Sequence, residues 1–170
     1  MLVLYFYYKI NLVMKTDKNK ILKRANDACK ETLMGTLDME FVDIGKDYIT
    51  CKMPVNNRVH QPDGILHGGA TLALAESVGS FASRFFINDP EVIVRGIELS
   101  ANHLKSISKG DVYARASKIH LGRTTQLWEI KITDKENNLI SLAKLTTIAI
   151  KKIKNNLFVK SITLHFLCKN

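Results

Sequence analysis

Gly69–Phe86 reads GATLALAESVGSFASRFF. Leu74, Val78, Phe81 and Phe85 recur at three- and four-residue spacing, the period of a helix with one apolar stripe. Ala70, Ala73, Ala75, Gly79 and Ala82 keep the remaining surface thin. A helix with so little polar surface is expected to be buried on most sides. It would be about 27 Å long at 1.5 Å per residue. Asn88-Asp89-Pro90 ends it.

After Pro90 the pattern changes to strands, with candidate runs at Val92–His103, Asp111–His120, Thr124–Thr133 and Leu139–Ile150. Gly110, Leu121-Gly122 and Asp134–Asn138 punctuate them. In the third run Gln126, Trp128, Ile130 and Ile132 share one face, while Glu129 and Lys131 lie on the other. That is the alternation of a sheet with one solvated side. Connections this short imply antiparallel neighbours. Upstream, residues 17–34 predict a helix with Asp17 as N-cap and Gly35 as its stop. Met39–Ile44 and Tyr48–Pro54 predict a hairpin joined by Gly45-Lys46-Asp47, and residues 55–67 a loop. The economical architecture is α+β: an antiparallel sheet wrapped around one long central helix.

The 170 residues suit one core. An apolar fraction of 46% with 24% charged residues is ordinary for a globular protein. A net charge of +9 favours acidic or phosphorylated partners. The cations are scattered apart from Lys15–Arg24 and Lys151–Lys154, and no nucleic-acid-binding signature accompanies them, so nucleic acid is not the expected partner. Cys29, Cys51 and Cys168 share no metal-ligand spacing and read as free thiols of a cytoplasmic protein, with no metal site. Residues 1–13, MLVLYFYYKINLV, lack the basic start and cleavage site of a signal peptide, and Lys9 and Asn11 interrupt them far short of a membrane span. They read as an upstream extension before Met14, with an added edge strand or helix as the alternative. Residues 14–150 then form the domain, and 151–170 a C-terminal extension, either a strand or a loose appendage.

Chemistry concentrates at Gln61-Pro62-Asp63-Gly64-Ile65-Leu66-His67-Gly68-Gly69, which runs directly into the central helix. Gly68 and Gly69 open that helix, where backbone N–H groups lack intrahelical partners and the dipole is positive. Such an end can donate to a carbonyl oxygen as negative charge develops on it. Glu76 sits about two turns in, on a helix otherwise nearly free of charge. A buried carboxylate is costly unless paired or used. Ser80, four residues on, shares its face and either orients Glu76 or a water, or is merely small. A glycine pair before a helix is often only a turn, and a lone histidine is more often structural than catalytic.

Gln61-Pro-x-Gly-x-x-His67-Gly68-Gly69, followed by Leu74-Ala75-Glu76-Ser77 and Gly79-Ser80, closely resembles the hot-dog-fold acyl-CoA thioesterases. The branch takes in 4-hydroxybenzoyl-CoA thioesterases of the Glu-on-helix type, 1,4-dihydroxy-2-naphthoyl-CoA thioesterases and the enterobactin-pathway proofreading thioesterase. Gly96–His103, His120–Arg123, Gln126–Trp128 and Thr146-Thr147 also look like the family, and the resemblance covers roughly residues 20–150.

The resemblance implies hydrolysis of an aromatic or medium-chain acyl-CoA with no metal or cofactor. Glu76 would be the general base or the nucleophile. The Gly68 N–H would polarise the thioester carbonyl, Gln61 and His67 would position that carbonyl or the attacking water, and Ser80 would assist Glu76. Asn102, His103, Gly122 and Arg123 would contact the coenzyme A moiety. It further implies a homodimer in which each site takes its loop from one chain and its helix from the other, with dimers often paired into tetramers. A dehydratase on the same fold and a non-catalytic acyl-CoA-binding module are the alternatives. Retention of Gln61, His67, Glu76 and Ser80 together favours the hydrolase.

Overall fold

The computed structural model describes residues 18–152, so the expected extension 1–13, the Asp17 cap, Cys168 and the tail beyond residue 152 lie outside the described residues. Residues 18–29 are helical (α1), and Leu33–Thr36 form a separate short turn (α2). The expected single helix to residue 34 is therefore broken. The Thr32 hydroxyl donates to the Cys29 carbonyl at 2.7 Å and accepts from the Met34 N–H at 3.2 Å, which closes one helix and caps the next. Such local side-chain bonds compete with helix continuation, and apolar periodicity carries no trace of them. Gly35 lies inside α2 rather than stopping a helix; a Cβ there would run into the Lys30 carbonyl. The left-handed residue after α2 is Asp38, with φ of 50°.

The hairpin follows as expected, β1 (Glu40–Ile44) and β2 (Tyr48–Val55), and the loop beyond it holds one 3-10 turn, Asn57–Val59. Helix α3 spans Gly68–Ile87 and ends on Asn88, left-handed at φ 49°. Four strands complete the chain: β3 (Val92–His103), β4 (Gly110–Leu121), β5 (Thr125–Thr133) and β6 (Leu139–Lys151). All pairings are antiparallel, in the order β1-β2-β4-β5-β6-β3. The sheet curves around α3, the expected hot-dog arrangement.

One side of every central strand faces the helix. Ile49, Cys51 and Met53 of β2, Val112, Ala114 and Ala116 of β4, Trp128, Ile130 and Ile132 of β5, and Ala143 and Leu145 of β6 are all buried. They meet Leu74, Ala75, Val78 and Ala82 of α3, each fully buried. Burying a side chain of Leu or Ile size contributes about 1.5–3 kcal/mol. The approach is close: a Cβ on Gly79 would lie 2.5 Å from Leu145 Cδ2 and 3.1 Å from Ile130 Cδ1. Burial of α3 is narrower than its sequence suggests. Ala70, Leu72, Ala73, Glu76, Ser77 and Ser80 are only half-buried, because one sheet covers one side of a helix.

Strand β3 carries a bulge. Gly96 pairs with Thr147 but Glu98 with Thr146, so Ile97 is an extra residue and the inside–outside alternation inverts there. On either side of it Gly96, Leu99, Ala101 and His103 stand opposite Thr147, Leu145, Ala143 and Ser141, and all four of those β6 residues are buried. Gly96 and His103 would lie on opposite faces of a regular strand. The bulge puts both against α3.

Within the core runs a directional hydrogen-bond chain. Trp128 Nε1–H donates to Ser83 Oγ at 2.6 Å, and Ser83 and Thr147 share a hydrogen bond of 2.7 Å. Thr147 Oγ1–H donates to Gln126 Oε1 at 2.8 Å, and Gln126 Nε2 to the Gly122 carbonyl at 3.1 Å. Among the described residues no buried side-chain polar atom lacks a partner. Replacing one member by an apolar isostere strands its neighbours. Thr147→Val is therefore expected to destabilise the fold by about 1–3 kcal/mol, read as a lower urea midpoint with an unchanged slope.

Candidate active site

The loop before α3 is pinned at both ends. Gln61 N–H donates to the Ile65 carbonyl and Gly64 N–H to the Gln61 carbonyl, each at 2.9 Å, a tight reversal that needs φ of +73° at Gly64. Leu66 N–H donates to the Ile107 carbonyl and His67 N–H to that of Val59, both at 2.8 Å. His67 is thereby delivered as the N-cap of α3. Its Nδ1 accepts the Gly69 N–H at 2.7 Å, which requires a lone pair on Nδ1 and places the neutral ring's proton on Nε2. The N–H groups of Ala70 and Thr71 reach the His67 carbonyl. The Gly68 N–H makes no hydrogen bond among the described residues. It is the available donor at the positive end of a long helix.

Gly68 lies on the wall of a cavity of about 290 Å³, together with Gln61, Thr71, His103 and Ser141. The His103 ring lies against Gly68; its Nε2 would be 2.9 Å from a Cβ there. Its Nδ1 is 3.0 Å from Ser141 Oγ, directly across the β3–β6 ladder. Glu76 is absent from this lining. It stands eight residues along α3, about 12 Å away at 1.5 Å per residue. There Ser80 Oγ donates to Glu76 Oε1 at 3.1 Å, the pairing expected from their spacing.

The residues expected to meet coenzyme A divide between places. His103 faces inward beside Gly68, whereas Asn102, its neighbour on β3, points to the opposite face opposite Leu142. Gly122 and Arg123 form the β4–β5 turn and line a second cavity, of about 720 Å³, at the far end of α3 with Phe86, Asp89, Leu121 and Lys151. Among the described residues no cluster of His, Cys, Asp and Glu could hold a metal ion, and no helix is long and apolar enough to cross a membrane. Ser141 had no signal in the sequence. Gly96, whose missing side chain makes room for Glu76, had one: a lone glycine inside a strand pattern marks a bulge or a close approach.

Residues 63–141 match the thioesterase superfamily. The 1,4-dihydroxy-2-naphthoyl-CoA hydrolase of Escherichia coli is 41% identical over 131 residues, which make up 76% of this chain and 96% of that one. This chain belongs to the thioesterase superfamily. The crystal structure of a Haemophilus influenzae thioesterase is similar in fold and sequence, with a TM-score of 0.76 and 38% identity over 79% of this chain and 94% of that one. Two structures of a Staphylococcus aureus thioesterase, one a glutamate-to-alanine and the other a glutamine-to-alanine variant, give TM-scores of 0.68 and 0.67 at 36% identity, over 71% of this chain and 99% and 98% of theirs. The thioesterase described here is thus a hot-dog-fold enzyme that hydrolyses thioester bonds.

Among the described residues, Cys29 and Cys51 take no part in this geometry. Burial pushes the Cys51 thiol up to about 12 and raises that of Cys29. At pH 8 only about one Cys51 in ten thousand would be thiolate, the reactive form. Iodoacetamide at pH 8 is therefore expected to leave Cys51 unmodified in the folded thioesterase and to label it in urea, as read by peptide mass spectrometry.

Proposed function

We propose that this thioesterase hydrolyses an acyl-CoA, aromatic or medium-chain, to the free acid and coenzyme A. The thioester carbonyl oxygen accepts from the Gly68 N–H as charge develops on it, with Gln61 and His67 holding the carbonyl or the attacking water. Glu76, steadied by Ser80, acts in one of two ways. As a base it removes a proton from that water as it adds to the carbonyl, and the C–S bond breaks with the proton passing to the departing coenzyme A thiolate. As a nucleophile it attacks the carbonyl itself, expelling the thiolate and forming a mixed anhydride. Water then cleaves that anhydride to the free acid and the Glu76 carboxylate, its proton neutralising the thiolate. His103 and the Arg123 turn receive the coenzyme A moiety, Arg123 suiting its phosphates.

One observation carries the reading: the free Gly68 N–H and the Ser80-held Glu76 are the two halves of a hydrolytic site, too far apart in one chain to act on one carbonyl. A second copy supplies the missing half. Strand β3 is an edge with no partner beyond it among the described residues. Two copies paired antiparallel about Ser100 would set Leu99 opposite the partner's Ala101. The same register would bring the bulge at Gly96 opposite the partner's His103, and so Glu76 toward the partner's Gly68. The variants of the Staphylococcus aureus relative support the choice of residues. The altered glutamine and glutamate lie fifteen residues apart in that chain, the separation of Gln61 from Glu76.

Thiol release from a panel of aryl- and alkyl-CoA esters tests the chemistry. Glu76→Ala is expected to lose at least about 100-fold in turnover with fold and assembly intact; an unaffected variant sinks the assignment. Lack of hydrolysis across the whole panel by the wild type would favour a binding module. Mixed assembly tests the shared site: refolding Gln61→Ala together with Glu76→Ala should restore roughly a quarter of wild-type activity, since half the random dimers carry one intact site of two. Sites contained within one chain would recover nothing.

A further inference from the structure

We infer that Gly96, at the mouth of the β3 bulge, is a positioning residue for the Glu76 carboxylate, and that glycine is required there to seat it. The inference rests on the reading of Glu76 as the group that does the chemistry.

Three nearest atoms would crowd a Cβ at Gly96, and all three belong to Glu76: the carboxylate carbon at 3.0 Å, Oε2 at 3.1 Å, and Oε1 closer still. The backbone conformation does not call for glycine, since the positive-φ glycines are Gly64 and Gly110 alone. A glycine inside a strand loses packing and chain stiffness for nothing, unless something must come close to the backbone. Here the thing that comes close is the carboxylate. Ser80 holds Oε1 from the helix side at 3.1 Å, and the Gly96 backbone forms the floor beneath. The carboxylate thus lies between the Ser80 hydroxyl and the strand backbone.

The bulge belongs to the same device. In a regular strand with Gly96 facing α3, Glu98 would face it too, setting a second carboxylate beside Glu76. The extra residue Ile97 turns Glu98 to the outer face, where the Thr146 hydroxyl donates to Glu98 Oε2 at 3.4 Å. It brings Leu99, Ala101 and His103 inward instead. The strand thus offers Glu76 an uncharged floor and keeps His103 beside Gly68.

Gly96→Ala is expected to lower kcat about 10- to 100-fold, the scale of an ångström-sized misplacement, with KM within about threefold. A merely structural glycine would not couple to Glu76, so the unfolding midpoint is read in two backgrounds. Gly96→Ala should lower the midpoint of the wild type, yet leave unchanged or raise that of Glu76→Ala, where the clash is gone and alanine leaves the unfolded chain less conformational freedom than glycine does. Equal destabilisation in both backgrounds overturns the inference, as does wild-type turnover in Gly96→Ala beside an inactive Glu76→Ala. Full turnover in Glu76→Ala would instead bring down the catalytic reading itself, and the inference with it.

Discussion

Helix α3 and the sheet approach each other more closely than most side chains allow, and the contact is made possible by residues with little or no side chain. Gly79 leaves room for Leu145 and Ile130, and Ala114, Ala116 and Ala143 line the sheet where the helix lies. Interiors pack to crystal-like density, so a single added methyl at such a contact must displace something. At Gly79 it would displace core side chains. At Gly96 it would displace the Glu76 carboxylate. The same close approach that forms the core thus sets the height of the acidic group above the sheet.

The buried polar residues follow from that geometry. Trp128, Ser83, Thr147 and Gln126 lie where the helix covers the sheet, and each finds its partner in the next. The chain ends on the carbonyl of Gly122, so the core is tied to the turn that carries Arg123. Thr147 also stands opposite Gly96 on the ladder. Core order and site geometry therefore share residues, and the polar groups in the middle of the core are satisfied rather than costly.

The proposed division of the site into two half-sites has an equally simple origin. A helix N-terminus presents its free N–H at one end of the axis, while a side chain two turns on is displaced along it by a fixed rise. No rotamer of Glu76 returns it to Gly68. In a fold with one long helix per chain, an oxyanion donor at the helix end and a base in its middle serve one carbonyl only when two helices run past each other. That is the physical ground for proposing that two copies meet at the β3 edge, which has no partner strand among the described residues.

Much of this was legible in the chain itself. The apolar stripe of Leu74, Val78 and Phe81, the alternation of Gln126, Trp128, Ile130 and Ile132, and the short connections between strands determined one helix and an antiparallel sheet, because periodicity is a local property. The spacing of Glu76 and Ser80 determined their hydrogen bond for the same reason. Periodicity could not see that Thr32 would divide the first helix, that α3 would be half-bare on one flank, or that Gly96 and His103 would share the helix-facing side of β3. These depend on which strands become neighbours and where one residue is inserted. The bulge at Ile97 inverts the side-chain parity of half a strand, and only the paired ladder reveals it. Local spacing decided what each segment is; long-range register decided which of its side chains meet at the site.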